Sequence, residues 1–90
     1  MSYNVVFAPE AESDYEKIGD PILQSHVLDE LDKLAADPQR LGRPGSFPHY
    51  LYRKYQFWCT SAEHRIHVTV LFDYAGTNTI TVLAIGVIRT

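Results

Sequence analysis

Basic side chains, a histidine and aromatic rings are interleaved in the C-terminal half of this 90-residue sequence. Arg65 and His67 stand two positions apart, and Lys54 lies in an aromatic stretch that includes Trp58. Cations neutralise phosphate groups, and aromatic rings stack on unpaired nucleobases. A histidine can accept or donate a proton near neutral pH. A ribonuclease requires these same residue types, so the segment is a candidate nucleic-acid site.

Whether these side chains meet depends on strand alternation, because neighbouring residues of a strand point to opposite faces. The segment 64–74 predicts a strand with an apolar face and an opposite face that carries Arg65, His67 and Thr69. In the segment 80–88, unbroken alternation turns one small, apolar set towards the core: Ile80, Val82, Ala84 and Gly86. On that basis we expect Arg89 to lie on the open face with Arg65 and His67.

The aromatic segment 50–59 predicts another strand. Its more apolar set is expected to face the core, which leaves Lys54 outside with Tyr52 and Trp58. Arg53 then points to the core side, unless it lies near the sheet edge or a bulge shifts the register. The open face would thus carry Lys54, Arg65, His67 and Arg89 as candidate catalytic residues. The alternative is a solvated sheet face with incidental charges.

Neither a metal site nor a cofactor is expected. His64 and His67 are three positions apart in a predicted strand, and that odd spacing points them to opposite faces. Cys59 is the single cysteine, so an internal disulfide and a cysteine-based metal site are excluded. The sequence also lacks a phosphate loop and the G-x-S-x-G motif of serine hydrolases.

Two helices are predicted in the first half of the chain. Apolar residues recur at spacings of three and four from Ala8 to Ile18, and Gly19 ends that pattern. Asp20 and Pro21 are typical of the first positions of a second helix, which is expected to reach about residue 36, before Pro38. Because so few residues connect them, the two helices are expected to form an antiparallel hairpin.

The remaining elements are predicted to be strands. A strand over 3–7 precedes the helices, and a loop over 41–49 leads to strands over 50–59, 64–74 and 80–88, joined by hairpin-length connections. The predicted fold class is therefore α+β, with the order β-α-α-β-β-β. The helical hairpin is expected to pack on a mainly antiparallel, twisted sheet.

Length, composition and charge restrict the class of protein. With 46% hydrophobic and 21% charged residues, a single globular domain over 1–90 is expected. No apolar run approaches the ~18 residues of a membrane helix, and no secretory signal is visible, so a cytoplasmic protein without a membrane partner is expected. Residues 1–38 hold nine acidic and two basic side chains, whereas residues 39–90 hold two acidic and six basic ones. This division permits a basic face on an acidic chain.

Several weak motifs add to this picture through their order and spacing. The second helix closes with LDKLAADP at 31–38, followed by GRPG at 42–45 and YRK at 52–54. The third strand begins HRIHV at 64–68, and ITVLAIGVIR at 80–89 closes the chain. In this order, and across nearly the whole chain, the motifs resemble the RelE/ParE family of bacterial toxins from type II toxin–antitoxin systems.

The resemblance implies a toxin that binds a cognate antitoxin protein and contributes to plasmid stabilisation. RelE-like members cleave mRNA on the ribosome without a metal, whereas ParE-like members act on DNA gyrase. A ribosome-dependent mRNA endoribonuclease that inhibits translation is the function expected here. The alternatives are a ParE-like gyrase inhibitor and a non-catalytic, protein-binding module with the RelE fold.

The resemblance also implies roles for individual residues. By position, Arg65 and Arg89 correspond to arginines of the family's third and last strands, and Arg53 and Lys54 to its basic second strand. The histidine often found before the closing arginine is absent, so His67 is the candidate for moving protons. The expected catalytic residues are Lys54, Arg65, His67 and Arg89. The expected RNA-binding residues are Arg43, Tyr52, Arg53 and Trp58.

Overall fold

A computed structural model describes residues 2–45, 51–60 and 65–89. Its elements are β1 (Asn4–Phe7), α1 (Pro9–Ile18), α2 (Pro21–Ala36), α3 (Pro38–Leu41), β2 (Arg43–Pro44), β3 (Arg53–Thr60), β4 (Arg65–Ala75) and β5 (Thr79–Arg89). Much of the predicted loop 41–49 and most of the connection before β4 lie outside the described residues, together with Tyr50 and His64. None of the described helices is long and apolar enough to cross a membrane.

The predicted boundaries of the two long helices are confirmed, and each has a local cause. Gly19 ends α1 in the left-handed conformation, at a φ of 72°, which glycine adopts without steric cost. The Asp20 carboxylate then accepts hydrogen bonds from the backbone N–H groups of Ile22 at 2.9 Å and Leu23 at 3.4 Å. Pro21 occupies the first turn of α2, where its missing N–H is not needed.

The strands form one five-stranded sheet in the order β1-β5-β4-β3-β2. The β2–β3, β3–β4 and β4–β5 pairs are antiparallel, and β1 runs parallel to β5 with Asn4 opposite Thr79. The predicted α+β class and the mainly antiparallel sheet are confirmed. The short elements α3 and β2 were not predicted, because four and two residues are too few to give a periodic pattern.

The hydrophobic core lies between the sheet and the helices. Val27, Leu31 and Leu34 of α2 belong to the same buried cluster as Val68, Val70 and Phe72 of β4 and Ile80 and Val82 of β5. We call this side of the sheet the helix face. The other side is the open face, formed by alternate residues of the three long strands: Lys54, Gln56, Trp58 and Thr60, then Arg65, His67, Thr69 and Leu71, then Ala84, Gly86 and Ile88.

A β-bulge in β5 overturns part of the predicted alternation. Leu71 pairs with Ala84 and Phe72 with Val82, so Leu83 is an extra residue without a partner in β4. Because one extra residue reverses the phase of a strand, Ile85 faces the core instead of Ala84. The prediction that Ala84 and Gly86 lie beneath the helices is therefore wrong.

Candidate nucleic-acid site on the open face

The register of the three long strands arranges the open face in rows. Trp58, His67 and Ile88 form one row, in which Trp58 and Ile88 are 52% and 60% exposed. The next row consists of Gln56, Thr69 and Gly86, and the third of Lys54, Leu71 and Ala84. Large side chains therefore occupy the first row, and Lys54 lies two rows away from them on the same face of the sheet.

Three predicted site residues come together at one end of the open face. The Arg65 guanidinium lies 4.6 Å from the centre of the Trp58 ring. The Trp58 and His67 rings lie 4.7 Å apart between centroids, tilted by 54°. We call Trp58, Arg65 and His67 the Trp58 cluster. It combines a cation, a group that can exchange protons and a large ring, as the sequence predicted.

A second basic group lies at the other end of the open face. Arg43 of β2 is paired with Lys54 of β3, so both residues belong to the open side of the sheet at its edge. The preceding residue, Gly42, holds β2 close to the core, because a Cβ atom there would lie 2.6 Å from Phe72 and 2.7 Å from the Pro38 carbonyl oxygen. We call Arg43 and Lys54 the Lys54 end.

The distance between these two groups follows from strand geometry. Lys54 and Trp58 are four residues apart on one strand, which corresponds to about 13 Å at ~3.3 Å per residue. Gln56 and Thr69 lie between them, and the Gln56 amide donates to the Thr69 hydroxyl at 3.3 Å. Lys54 and His67 thus lie in two different rows of the open face, separated by the row of Gln56 and Thr69. They can contact successive parts of an extended chain.

Arg89 does not lie with the other predicted catalytic residues. Downstream of the bulge it pairs with Ile66, whose side chain is buried on the helix face. Arg89 lines a groove beside α1, together with Lys17 and Val87. The predicted position of Arg89 on the open face is therefore wrong. The sequence gives no local signal for the bulge, because both phases of alternation over residues 82–88 consist of apolar residues.

Arg53, a predicted RNA-binding residue, also lies on the helix face. It pairs with Phe72, and its guanidinium donates to the Gly42 carbonyl oxygen at 3.2 Å. The Arg53 Nε atom is buried and has no hydrogen-bond partner among the described residues. A side chain held in this way supports the edge of the core and does not reach the open face. Tyr52, by contrast, borders the open face near Leu71 and Ala84.

A buried polar network on the helix face was missed by sequence reasoning. Glu30 of α2 is 9% exposed, and its carboxylate accepts from the Tyr55 hydroxyl at 2.7 Å. Lys33 donates to the same carboxylate at 3.3 Å. The pKa of Tyr55 is raised to about 12, mainly by burial, then by the hydrogen bond to Glu30 and by the negative charge of the Glu30 carboxylate. In the sequence, Glu30 has the same appearance as the exposed acids of both helices.

No family model matches the sequence, and no curated protein matches it. Among solved structures, the chain is similar to one in the crystal structure of the toxin–antitoxin complex RelBE2 from Mycobacterium tuberculosis. The TM-score is 0.67 at 20% identity, over 94% of this chain and 96% of that chain.

The chain has the RelE fold. The similarity covers both helices and all three long strands, since it extends over almost the whole of either chain. The fold expected from the order of the sequence motifs is thereby confirmed. At 20% identity the likeness is one of fold. Proteins with the same fold can carry different chemistry, which depends on the residues of each site.

Proposed function

We propose that this chain is the toxin of a toxin–antitoxin system and that its open face cleaves RNA without a metal. The observation that carries the proposal is the Trp58 cluster, in which Arg65 and His67 flank one exposed indole ring. The similarity in fold to a chain of a toxin–antitoxin complex supports the biological setting. A cognate antitoxin is the corresponding protein partner.

The proposed reaction is transfer of the phosphate to the neighbouring ribose hydroxyl. Neutral His67 takes the proton of the 2′-hydroxyl, and the 2′ oxygen attacks the adjacent phosphorus. The bond from phosphorus to the 5′ oxygen breaks, which leaves a 2′,3′-cyclic phosphate and a 5′-hydroxyl end. The protonated imidazole returns its proton to the 5′ oxygen, directly or through a water molecule. Atoms and charges balance without a further reactant.

Arg65 and Trp58 have complementary roles in this scheme. A guanidinium above an indole ring keeps N–H donors in its own plane, where they can reach phosphate oxygens as negative charge develops. The exposed Trp58 ring offers a surface on which an unpaired base can stack. Arg43 and Lys54 would contact phosphates further along the chain. Ribosome-bound mRNA is the proposed substrate, because its bases are accessible in single-stranded form.

The test compares arginines on opposite faces of the sheet. Wild type and the variants Arg65→Ala, His67→Ala and Arg89→Ala are induced in a bacterial host, and mRNA ends are mapped. We expect growth arrest and new 5′-hydroxyl ends with wild type and with Arg89→Ala. Arg65→Ala and His67→Ala should each lower cleavage by about 10²- to 10³-fold. Circular dichroism checks that every variant is folded.

Three outcomes would contradict the proposal. Unchanged cleavage by His67→Ala would remove the proton-transfer role. Growth arrest with intact mRNA and inhibited DNA supercoiling would support the ParE-like alternative instead. Normal growth with soluble wild-type protein would favour the non-catalytic binding module.

A further inference from the structure

The β-bulge creates a hollow at the end of the open face that the proposed reaction does not use. The cavity has a volume of about 550 Å³. Leu71, Leu83 and Ala84 form its apolar floor, and Pro9 of α1 lies at its side. Leu83 and its neighbour Ala84 both line this cavity, because the bulge interrupts the alternation of side chains between them. Without the extra residue, the strand would present one side chain here instead of two.

Two residues at the rim have the chemistry to bind a flat, polar ring. Tyr52 is 38% exposed, and its backbone oxygen accepts from the Gly45 N–H at 2.9 Å, which ties it to the end of β2. Glu10 contributes the one carboxylate among the described residues that line the hollow. A tyrosine ring can stack on a base, while a carboxylate accepts hydrogen bonds from base N–H groups.

The hollow is continuous with the Lys54 end. Its floor residues Leu71 and Ala84 belong to the same row of the open face as Lys54. A nucleotide whose phosphate contacts Lys54 or Arg43 would therefore have its base beside the hollow. The neighbouring cations and the apolar floor suit a nucleotide, whereas the Glu10 carboxylate at the rim would repel the side chains of an acidic peptide.

The geometry points to a binding site for one unpaired nucleobase of the RNA, with guanine preferred. The inference rests on the proposed function and adds base recognition to it. Guanine carries two adjacent N–H donors on its Watson–Crick edge, which match the two oxygens of the Glu10 carboxylate. Adenine and cytosine offer one amino group, and uracil offers one ring N–H. The base would occupy the hollow while the phosphate to be cleaved lies at the Trp58 cluster.

The test measures the affinity of 2′-O-methyl RNA hexamers, which cannot be cleaved because the attacking hydroxyl is blocked. Four hexamers carry G, A, C or U at one position in a uridine background, and fluorescence anisotropy gives each Kd. We expect the G hexamer to bind about tenfold more tightly than the all-uridine hexamer, and Tyr52→Ala to remove about tenfold of that affinity. Ala84→Leu, which fills the floor, should have the same effect without removing the tyrosine.

Glu10→Gln is the decisive variant, and Glu12→Gln is its matched control. Both remove one negative charge from the first turns of α1, but Glu12 does not line the hollow. Glu10→Gln should abolish the preference for G over A, whereas Glu12→Gln should retain it. A preference that survives Glu10→Gln would overturn the assignment of guanine to this site.

The failure of this inference can be told apart from the failure of the proposed function. Binding of all hexamers with equal affinity, still weakened by Arg65→Ala, would overturn the base site and leave RNA binding intact. No binding to any hexamer would overturn the base site alone, because the proposed function concerns ribosome-bound mRNA and is tested separately by mapping mRNA ends. If Tyr52→Ala and Ala84→Leu leave RNA affinity unchanged but weaken the complex with the antitoxin, the hollow is a protein contact and the base site is wrong.

Discussion

The two faces of the sheet are built by the same three strands and have opposite physical characters. On the helix face, Val68, Val70 and Phe72 of β4 are fully buried among apolar side chains. On the open face, the residues between them, Thr69 and Leu71, are partly exposed. Because alternate residues of one strand serve different purposes, stability and RNA chemistry can be changed separately. Variants on the two faces test how completely stability and RNA chemistry are separated.

The largest effect on stability is expected from Phe72→Ala. The comparison is Thr69→Ala, at an open-face position of the same strand. Phe72 is fully buried and packs edge-on against the Tyr74 ring. Loss of its ring should lower the free energy of unfolding by about 3–5 kcal/mol, since a cavity remains. Thr69→Ala should change it by about 0.5 kcal/mol or less. Urea denaturation measures both, and similar losses would contradict the division between the faces.

The next effect concerns the buried pair of Tyr55 and Glu30. Tyr55→Phe removes the donor to the Glu30 carboxylate and should lower the free energy of unfolding by about 1.5–3 kcal/mol at neutral pH. The pKa of Tyr55 is raised from 10.0 to about 12 in the folded protein. The unfolded chain therefore loses this proton first as the pH rises. The contribution of Tyr55 to stability is complete below pH 10 and declines towards pH 12.

Urea denaturation at several pH values between 8 and about 12 tests this linkage. The stability of wild type should fall more steeply above pH 10 than that of Tyr55→Phe, because the phenylalanine variant has no proton to lose at this position. Tyr52→Phe is the control, since Tyr52 lies at the open side of the sheet. Equal slopes for wild type and Tyr55→Phe would show that the buried pair does not control alkaline stability.

A smaller effect is expected where α1 meets the edge of β5. Beyond Val82, β5 has no strand on its β1 side among the described residues, and the Asp14 carboxylate accepts from the Ile85 N–H at 3.0 Å. Asp14→Ala should lower the free energy of unfolding by about 1–2 kcal/mol, because that N–H loses its acceptor. Asp14→Asn should retain most of the stability, since its amide oxygen can still accept. Thermal unfolding distinguishes them, and equal losses would contradict the role of the hydrogen bond.

A still smaller effect on stability than that of Asp14→Ala is expected from Arg65→Ala, the variant expected to be inactive. Its contact with the exposed Trp58 ring should contribute about 0.5–1 kcal/mol at most. RNA cleavage should nevertheless be lost. Urea denaturation measures the stability of the variant, and mRNA end mapping measures its RNA cleavage. Together they show whether cleavage can be lost while the fold is kept. A loss of several kcal/mol would mean that the open face also supports the fold.

Local signals in the sequence were sufficient for much of the helix face. Gly19, Asp20 and Pro21 determine where the helices end and begin through backbone conformation and capping, which depend on a few adjacent residues. The alternation of β4 was also readable, because its buried residues are all large and apolar. These features correctly predicted the open-face positions of Lys54, Arg65 and His67.

Pairing between distant segments determined the parts that could not be predicted. The position of Arg89 depends on the extra residue Leu83, which is defined only by the register of β5 against β4. The burial of Glu30 depends on Tyr55, 25 positions away in the sequence. The hollow depends on the meeting of α1 with the bulged strand. Sequence periodicity contains little information about such contacts, since each part has an ordinary local pattern.

The parallel pairing of β1 with β5 has a consequence for biosynthesis. Asn4 leaves the ribosome 75 positions before its partner Thr79. The first strand must therefore wait until β5 has been translated, and contacts of such long sequence separation slow folding. Ile88, which completes the row with Trp58 and His67, also belongs to β5. A nascent chain that has not yet released β5 therefore does not carry the complete open face.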